Sequence, residues 1–349
     1  MSEEVIDQGK VAELVASIRD QFVVPYRDVA ALKGIKSSTK FQDSDPLTEI
    51  EKLSQIIKAH CTKIGIICQP SKFFSNYPAV FKELQGFTNA VFYLLSVLPL
   101  VHDESQDIWA QYLVQKLDST VINLLNGVSA LCDEIDKMIN EGKGDDQDRL
   151  MCIGILWAAC ESLEEIVKKG NLQLLADNIR NSCGLVEDIL QDVDSWLQDP
   201  HFGDDLLIDD DFSDKEDVES NNEHPDDEIA LQKMQDFLKL WQTNLKMIKL
   251  LLSSFAKSMA TNVYNAKNTK ASTLDKLNAL QSLIVEQLDE LFSDIFISDA
   301  SFSEDDFTNS VSSLNESLRQ MVKVITKLNS CDAKKLKWIQ VWETKYFPN

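Results

Sequence analysis

The residues able to support catalysis or metal binding are few and scattered along this sequence. None of its four histidines has a glutamate three residues before it, the spacing with which helical bundles bind two iron ions. Cys61 and Cys68 are two helical turns apart, beside His60, but tetrahedral zinc takes four ligands and no second pair of suitable spacing accompanies them. We therefore predict buried thiols at both positions and no metal site.

Two further arrangements lack what phosphate binding or nucleophilic attack requires. The turn that begins at Gly142 (Gly-Lys-Gly-Asp) has neither the length nor the serine or threonine of a phosphate-binding loop. His102 and Cys160 are a base and a nucleophile, but nothing in their spacing brings them together. The sequence predicts a protein that is not an enzyme and takes no cofactor.

Acidic charge dominates the composition of the 349-residue chain. The formal net charge is −23, and residues 199–228 supply −13 of it through fourteen acids and one lysine. Nucleic-acid binding depends on lysine and arginine that neutralise phosphates, so we expect protein partners and no direct contact with nucleic acid. Residues 199–228 also have too little apolar surface to offset the entropy of ordering their backbone, which predicts a disordered acidic linker.

Two serines of this linker have the pattern that acidophilic kinases accept. Ser213 and Ser220 are each followed, three residues later, by a glutamate. A phosphate adds negative charge and strong acceptor oxygens, so a modified linker would bind differently. Both serines are candidate phosphorylation sites, and the alternative is a linker that only keeps the protein soluble.

Most of the remaining chain has apolar residues every three or four positions, the period of an amphipathic helix. Strand-like alternation flanked by turn signals is absent from the sequence. We predict an all-α fold of long antiparallel helices, about nine in number, six before the acidic linker and three after it. The predicted helices span residues 4–32, 45–68, 76–98, 104–140, 146–169 and 172–197, then 227–263, 272–297 and 303–328, and a short tail follows.

Local signals mark several boundaries of these helices. Asp45 before Pro46 is typical of a helix start, since a carboxylate can cap free amides and proline suits the first helical position. Pro25 should kink or split the first helix, and Gly170 should separate the fifth from the sixth. The predicted organisation is an N-terminal bundle (1–198), the acidic linker (199–228) and a C-terminal helical region (229–349).

The most apolar stretch, residues 90–101, is well short of the roughly 20 residues that cross a bilayer. We predict no membrane span.

Residues 92–95 (Phe-Tyr-Leu-Leu) are apolar nearly all round, which predicts a central helix covered by several neighbours. The seven cysteines are scattered and odd in number, as in reduced intracellular proteins, and we expect no disulfide.

The last predicted helix has the four-three spacing of a coiled-coil seam, a candidate surface for a partner helix. Its members are Phe307, Val311, Leu314, Leu318, Met321, Ile325 and Leu328. The order helix, short loop and heptad helix also occurs in helix-loop-helix dimerisation domains, although the dense basic region of those that bind DNA is missing. Two antiparallel helices of one bundle explain the same pattern.

The chain resembles the cyclin-D-binding protein family, also called Grap2 and cyclin-D-interacting proteins. The resemblance rests on residues 91–95 (Val-Phe-Tyr-Leu-Leu), on residues 156–160 (Leu-Trp-Ala-Ala-Cys) followed by a helix, and on the acidic linker that leads into residues 227–252. It implies a helical, non-enzymatic regulator of the cell cycle and of transcription that moves between cytoplasm and nucleus. Implied partners are cyclins and helix-loop-helix-type proteins, whereas binding residues and oligomeric state stay open.

A scaffold protein resembling vinculin or talin is the alternative, because its long amphipathic helices also form bundles that accept a partner helix. Nuclear accumulation with a cyclin or a transcription factor would favour the first interpretation. Co-sedimentation with actin or membranes would favour the second.

Overall fold

The structure is a computed structural model that describes residues 6–41, 43–142, 146–202, 225–261, 269–298 and 301–348. The regular structure of these residues is helical, and none of them lies in a strand. The helices are α1 Gln8–Ile18, α2 Val29–Lys33, α3 Pro46–Ile67, α4 Pro70–Phe73, α5 Tyr77–Val101, α6 Gln111–Glu141, α7 Asp146–Gln198, α8 Pro225–Thr261, α9 Ala271–Phe296, α10 Thr308–Leu328 and α11 Ala333–Tyr346. The prediction of an all-α protein with long helices is confirmed.

Side-chain caps begin several of the helices where the sequence predicts a start. The Asp45 carboxylate accepts hydrogen bonds from the amides of Leu47 and Thr48 at the start of α3. Asn76 accepts from the amide of Ala79 and begins α5. Each cap satisfies amides that have no partner within the helix, so these two boundaries follow from local chemistry.

The chain forms two compact units, Met1–Asn171 and Leu172–Asn349. Unit 1 is organised around α3 and α5, which pack along each other, while α1 packs against both α5 and α6. Many of its core side chains have no exposed surface: Val11, Val15, Ile50, Ile57, Leu94, Leu98, Leu113, Leu117 and Val121. Removal of this apolar area from water is the main source of its stability.

The predicted helix at 104–140 begins later than expected. A short 3-10 turn occupies Glu104–Gln106, and Asp107 has a left-handed backbone (φ 50°), so α6 starts only at Gln111. The Asp103 carboxylate stabilises this turn because it accepts hydrogen bonds from the Ser105 amide and hydroxyl. Ile108, which is within the predicted span, therefore lies outside the helix and is 46% exposed.

Gly170 breaks the regular backbone of α7. Its φ of 55° and ψ of −170° are non-helical, and glycine adopts this conformation without the steric cost of a side chain. The predicted break between the fifth and sixth helices is confirmed, and the two compact units meet in sequence at this point.

Unit 2 includes the second part of α7, which the sequence assigned to the N-terminal bundle. Asn178 donates a hydrogen bond to Asn278 of α9 at 2.8 Å, and Ser182 donates to the buried Gln281. These contacts group residues 172–198 with the C-terminal helices, so the compact units divide earlier than the segments predicted from the sequence. Most of the acidic linker predicted at 199–228 lies outside the described residues.

The predicted short tail is instead a helix, α11. Asp332 caps it by accepting from the amides of Lys334 and Lys335. Its buried side chains are Ile339, Trp342 and Tyr346, at helical spacing, and the indole of Trp342 donates to the Met247 carbonyl of α8 at 2.7 Å. Three of the first five residues of α11 are lysines, so its apolar face is hard to recognise from the sequence.

The prediction that α5 is covered on all sides is wrong. Val91, Leu94 and Leu95 are buried, but Phe92 and Tyr93 are 56% and 58% exposed. The helices of unit 1 cover one side of α5 only, and both aromatic side chains lie on the other. By length and apolar composition α5 is the one helix of the described residues that could cross a membrane, and half of its most apolar 18-residue window is buried.

Candidate protein-interaction surface

The coiled-coil seam predicted for a partner helix packs within unit 2. Five members are buried and two, Val311 and Leu328, are partly buried. The buried members are Phe307, Leu314, Leu318, Met321 and Ile325. The amide of Gln287 in α9 donates to the Ser313 hydroxyl of α10 at 2.8 Å, and these two helices pack along each other. The partner of this seam in the structure is therefore α9 of the same chain.

The candidate phosphorylation sites Ser213 and Ser220 lie outside the described residues. Their modification stays a prediction from the sequence. A surface for partners must be sought among the described helices.

The aromatic pair on α5 is one such surface in unit 1. The rings of Phe92 and Tyr93 contact each other edge to face, with centroids 5.7 Å apart. Large apolar side chains this exposed contribute little to the fold of a monomer, whereas aromatic residues are enriched at protein interfaces. Both residues belong to the stretch 91–95 on which the family resemblance rests, but the sequence of that stretch alone does not show that they are exposed.

A cleft of about 490 Å³ lies beside the pair. Its floor and walls include Phe22, Tyr26, Ile35, Thr39, Phe92 and Tyr93. This volume is within the range of about 300–1,000 Å³ typical of ligand sites, and it suits a few side chains of a docked segment. The aromatic pair and this cleft form the aromatic groove.

A turn of π-helix positions the N-terminal wall of the aromatic groove. It spans Arg19–Val23, and the Val24 amide donates to the Arg19 carbonyl at 2.9 Å. The Arg19 guanidinium donates to Asp133 and to Asp136 of α6, each at 2.6 Å. These charge-assisted bonds fix the turn against α6, and the groove is lined by Phe22 within the turn and by Tyr26 just after it.

The opposite wall is the loop after α2, which hydroxyl groups hold against α5. Ser37 donates to Thr39 at 2.8 Å, and Thr39 approaches the Ser96 hydroxyl at 3.4 Å. The charge of this loop is opposite to that of the whole protein. Residues 29–41 contain three exposed lysines and no acid, and residues 84–101 of α5 contain no charged residue. The aromatic groove is therefore locally basic.

Residues 156–160, the second stretch that carries the resemblance, also present an aromatic side chain. Trp157 of α7 is 38% exposed, and the Lys58 ammonium lies 5.6 Å from the centroid of its ring. Lys58 also forms an ion pair with Glu161 at 2.7 Å. Leu150 and Met151 on the same helix are 58% and 62% exposed. This face is apolar. The lysine that lies over Trp157, Lys58, is already paired with an acid, so this face differs from the aromatic groove.

Several cysteine thiols are buried in unit 1. Burial raises the pKa of the thiols of Cys68, Cys132 and Cys160 to about 12, and that of Cys61 further. Such thiols hold their protons at neutral pH and are poor nucleophiles. The prediction of buried thiols at 61 and 68 is confirmed.

One buried ionisable pair links α5 to α6. Nε2 of His102, which follows α5, lies 2.8 Å from Oδ1 of Asp118, and Asp118 is fully buried. Nδ1 of His102 and Oδ2 of Asp118 are buried without a hydrogen-bond partner. Among the described residues no group of three or more histidine, cysteine or acidic side chains could hold a metal ion.

These features define the class of the protein. It is an all-α protein of long helices in two compact units, and the first unit presents an aromatic, locally basic groove to solvent. Comparison with known families then supplies the particular group. Residues 49–199 match the N-terminal region, and residues 208–323 the C-terminal region, of the family described as Grap2 and cyclin-D-interacting. The chain belongs to this family, and the resemblance found in the sequence is confirmed.

Two relatives are similar over nearly their whole length. The first, "Uncharacterized protein YLR287C" of Saccharomyces cerevisiae, is 33% identical over 97% of this chain and 96% of its own. The second, "Uncharacterized protein C22E12.18" of Schizosaccharomyces pombe, is 23% identical over 98% of both chains. Both likenesses extend across the two compact units.

Proposed function

We propose that this protein is a non-enzymatic regulator that binds a cyclin or a helix-loop-helix-type protein and acts in control of the cell cycle and of transcription. The description of the family, Grap2 and cyclin-D-interacting, supports a cyclin as the class of partner. The protein works in both cytoplasm and nucleus, and phosphates on Ser213 and Ser220 adjust its binding.

The observation that carries the proposal is the exposure of Phe92 and Tyr93. Residues 91–95 are one of the stretches on which the family resemblance rests, yet two of the five side chains face solvent beside a cleft instead of filling the core. Interfaces obtain most of their binding energy from a few aromatic anchors that become fully buried. The aromatic groove supplies two such anchors, and Lys36, which lines its cleft, favours a partner segment that combines apolar and acidic side chains.

The test is binding of the purified full-length protein to purified cyclins and helix-loop-helix proteins of the host, measured by calorimetry. The double substitution Phe92→Ser and Tyr93→Ser should weaken binding at least about tenfold, as expected for the loss of interface anchors. The control is Leu150→Ser with Met151→Ser, because these two side chains are equally apolar and similarly exposed on α7. The control should leave binding within about twofold, since surface changes outside an interface have small effects.

Three results would contradict the proposal. Equal weakening by both double variants would assign the effect to general apolar surface. Unchanged binding after loss of Phe92 and Tyr93 would remove the groove from the interface. Co-sedimentation of the protein with actin or membranes, without binding to any cyclin or helix-loop-helix protein, would favour a scaffold related in function to vinculin or talin.

A further inference from the structure

Unit 2 contains a second cleft with a different chemistry. It has a volume of about 540 Å³ and lies between the first turns of α9 and the second half of α10. Three lysines line it, Lys276 from α9 and Lys323 and Lys327 from α10, together with the hydroxyls of Ser272 and Thr273. We call this the lysine cleft, and it belongs to neither the aromatic groove nor the coiled-coil seam.

The antiparallel packing of α9 and α10 brings these lysines together. The hydrogen bond between Gln287 and Ser313 fixes the register of the two helices. Lys276 lies eleven residues before Gln287, and Val324, between Lys323 and Lys327, lies eleven residues after Ser313. At about 1.5 Å per residue, both positions are roughly 16 Å from that bond and face each other. Lys323 and Lys327 are four residues apart in α10, the spacing that places two side chains on one face of a helix.

The three ammonium groups carry charge that the described residues leave without an ion-pair partner. All three side chains are exposed, and none forms a salt bridge. Of the described residues, Glu316 is the one carboxylate that lines the cleft, and it accepts a hydrogen bond from Gln320 at 3.2 Å. Like charges converge here in a protein whose net charge is −23, and a bound anion would relieve their repulsion.

We propose that the lysine cleft binds a phosphoserine or phosphothreonine side chain on an acidic peptide segment of another protein. A phosphate dianion offers the negative charge and the acceptor oxygens that three ammonium groups and two hydroxyls can satisfy together. Among the described residues no aromatic side chain lines the cleft, so they offer a nucleotide base no surface on which to stack. A peptide also leaves the cleft at both ends, where the exposed lysines attract flanking acids.

The test uses the full-length, unphosphorylated protein and a fluorescent synthetic peptide with one phosphoserine flanked by aspartates. Fluorescence anisotropy should show binding that inorganic phosphate displaces and that weakens as salt rises. The peptide with unmodified serine should bind at least about tenfold more weakly, because it lacks the dianion. The triple substitution K276Q, K323Q and K327Q should cause a loss of similar size.

The matched control is K334Q, K337Q and K345Q. These three lysines belong to α11, are exposed and lie outside the cleft. Their substitution removes the same charge as the cleft variant. The control should bind the phosphopeptide within about twofold of the wild type, because a specific site depends on position and not on net charge. Equal weakening by both triple variants would overturn the proposal in favour of general attraction. So would equal binding of the unmodified peptide, or binding of anionic lipid vesicles in place of the peptide with the same sensitivity to the cleft variant.

Discussion

The Arg19 guanidinium and the Asp133 carboxylate, 114 residues apart in the chain, form a hydrogen bond of 2.6 Å. Asp136 accepts the second bond of the same guanidinium, and the Asp133 hydrogen bond is the main reason that the pKa of Arg19 lies above its ordinary value. The pair holds the π-helical turn that leads into the aromatic groove. The shape of the groove thus depends on a contact between α6 and the N-terminal segment.

Arg19→Gln should therefore weaken partner binding at the aromatic groove and have only a small effect on the stability of unit 1. The Arg19 side chain is 30% exposed and Asp133 is 63% exposed, so solvent screens the pair, and we expect a loss of about 1 kcal/mol in the free energy of unfolding. Binding to a partner at the groove should weaken as well, because its N-terminal wall moves. Denaturant unfolding and calorimetry measure the two effects. Arg27→Gln, which removes the same charge from a nearby exposed position, should change neither, and an equal effect of both would contradict the prediction.

Two glycines of unit 1 should respond in opposite ways to the same substitution. A Cβ at Gly127 in α6 would lie 2.9 Å from Cδ2 of the buried Leu156, so that side chain or the helix that carries it would have to shift. At Gly154 in α7 a Cβ would meet nothing within 4 Å. Gly127→Ala should cost about 1–3 kcal/mol through overpacking, whereas Gly154→Ala should gain up to about 1 kcal/mol of helix stability. Thermal unfolding of both variants tests this, and a stabilised Gly127→Ala would show that the helices are not this close.

Most helices follow from the sequence because their causes are local. The cap at Asp45, the cap at Asn76 and the break at Gly170 each depend on residues within one turn of the boundary. The later start of α6 was missed because Asp103 caps a competing turn, which periodicity does not register. The helix α11 was missed because its apolar residues are spread over fourteen positions rich in lysine.

The two candidate surfaces, the aromatic groove and the lysine cleft, are much harder to predict from the sequence than the helices are. Periodicity shows that residues 92–95 are apolar but not that neighbouring helices leave Phe92 and Tyr93 uncovered. The lysine cleft joins residues about fifty positions apart, which only the pairing of α9 and α10 brings together. An apolar pattern wider than one helix face is the signal that could have indicated an exposed patch on α5.

The two tryptophans of α11 should differ sharply in their contribution to unit 2. Trp342 is 2% exposed, stacks on Tyr346 with ring centroids 4.9 Å apart and donates to the Met247 carbonyl. Trp338 is 37% exposed. Trp342→Ala should lower the free energy of unfolding by about 3–5 kcal/mol, and Trp342→Phe by about 1 kcal/mol for the lost hydrogen bond. Trp338→Ala should cost much less in denaturant unfolding, and equal costs would show that α11 does not dock as described.

The buried thiols should make the protein sensitive to alkaline pH. The native pKa of Cys132 and Cys160 is about 12, against an ordinary value of 9.0. Between these values the unfolded chain releases protons that the native state keeps, so stability present below pH 9 is lost as pH rises toward 12. Cys132→Ala with Cys160→Ala should be less stable at neutral pH but should lose less stability on going to about pH 10. Cys331→Ser, at an exposed thiol, is the control and should follow the wild type in urea unfolding across this range.

The contact between Gly86 of α5 and His60 of α3 allows a sharper test of the central pair of helices in unit 1. Nδ1 of His60 lies 2.9 Å from Oε2 of Glu83, and a Cβ at Gly86 would lie 2.5 Å from Cε1 of the same ring. Alanine in a helix is favoured over glycine by about 1 kcal/mol, so Gly86→Ala would stabilise α5 if the ring were absent. With the ring present, the imidazole must turn away and lose its bond to Glu83.

We therefore expect Gly86→Ala to destabilise the wild type by about 1–2 kcal/mol but to stabilise His60→Ala by up to about 1 kcal/mol. The difference between the two backgrounds is the coupling energy of the two sites, which urea unfolding of the four proteins measures. Residues in direct contact couple by about 0.5–3 kcal/mol, whereas distant residues add within about 0.5 kcal/mol. Additive effects would place His60 away from Gly86 and would contradict the packing of α3 on α5 described for unit 1.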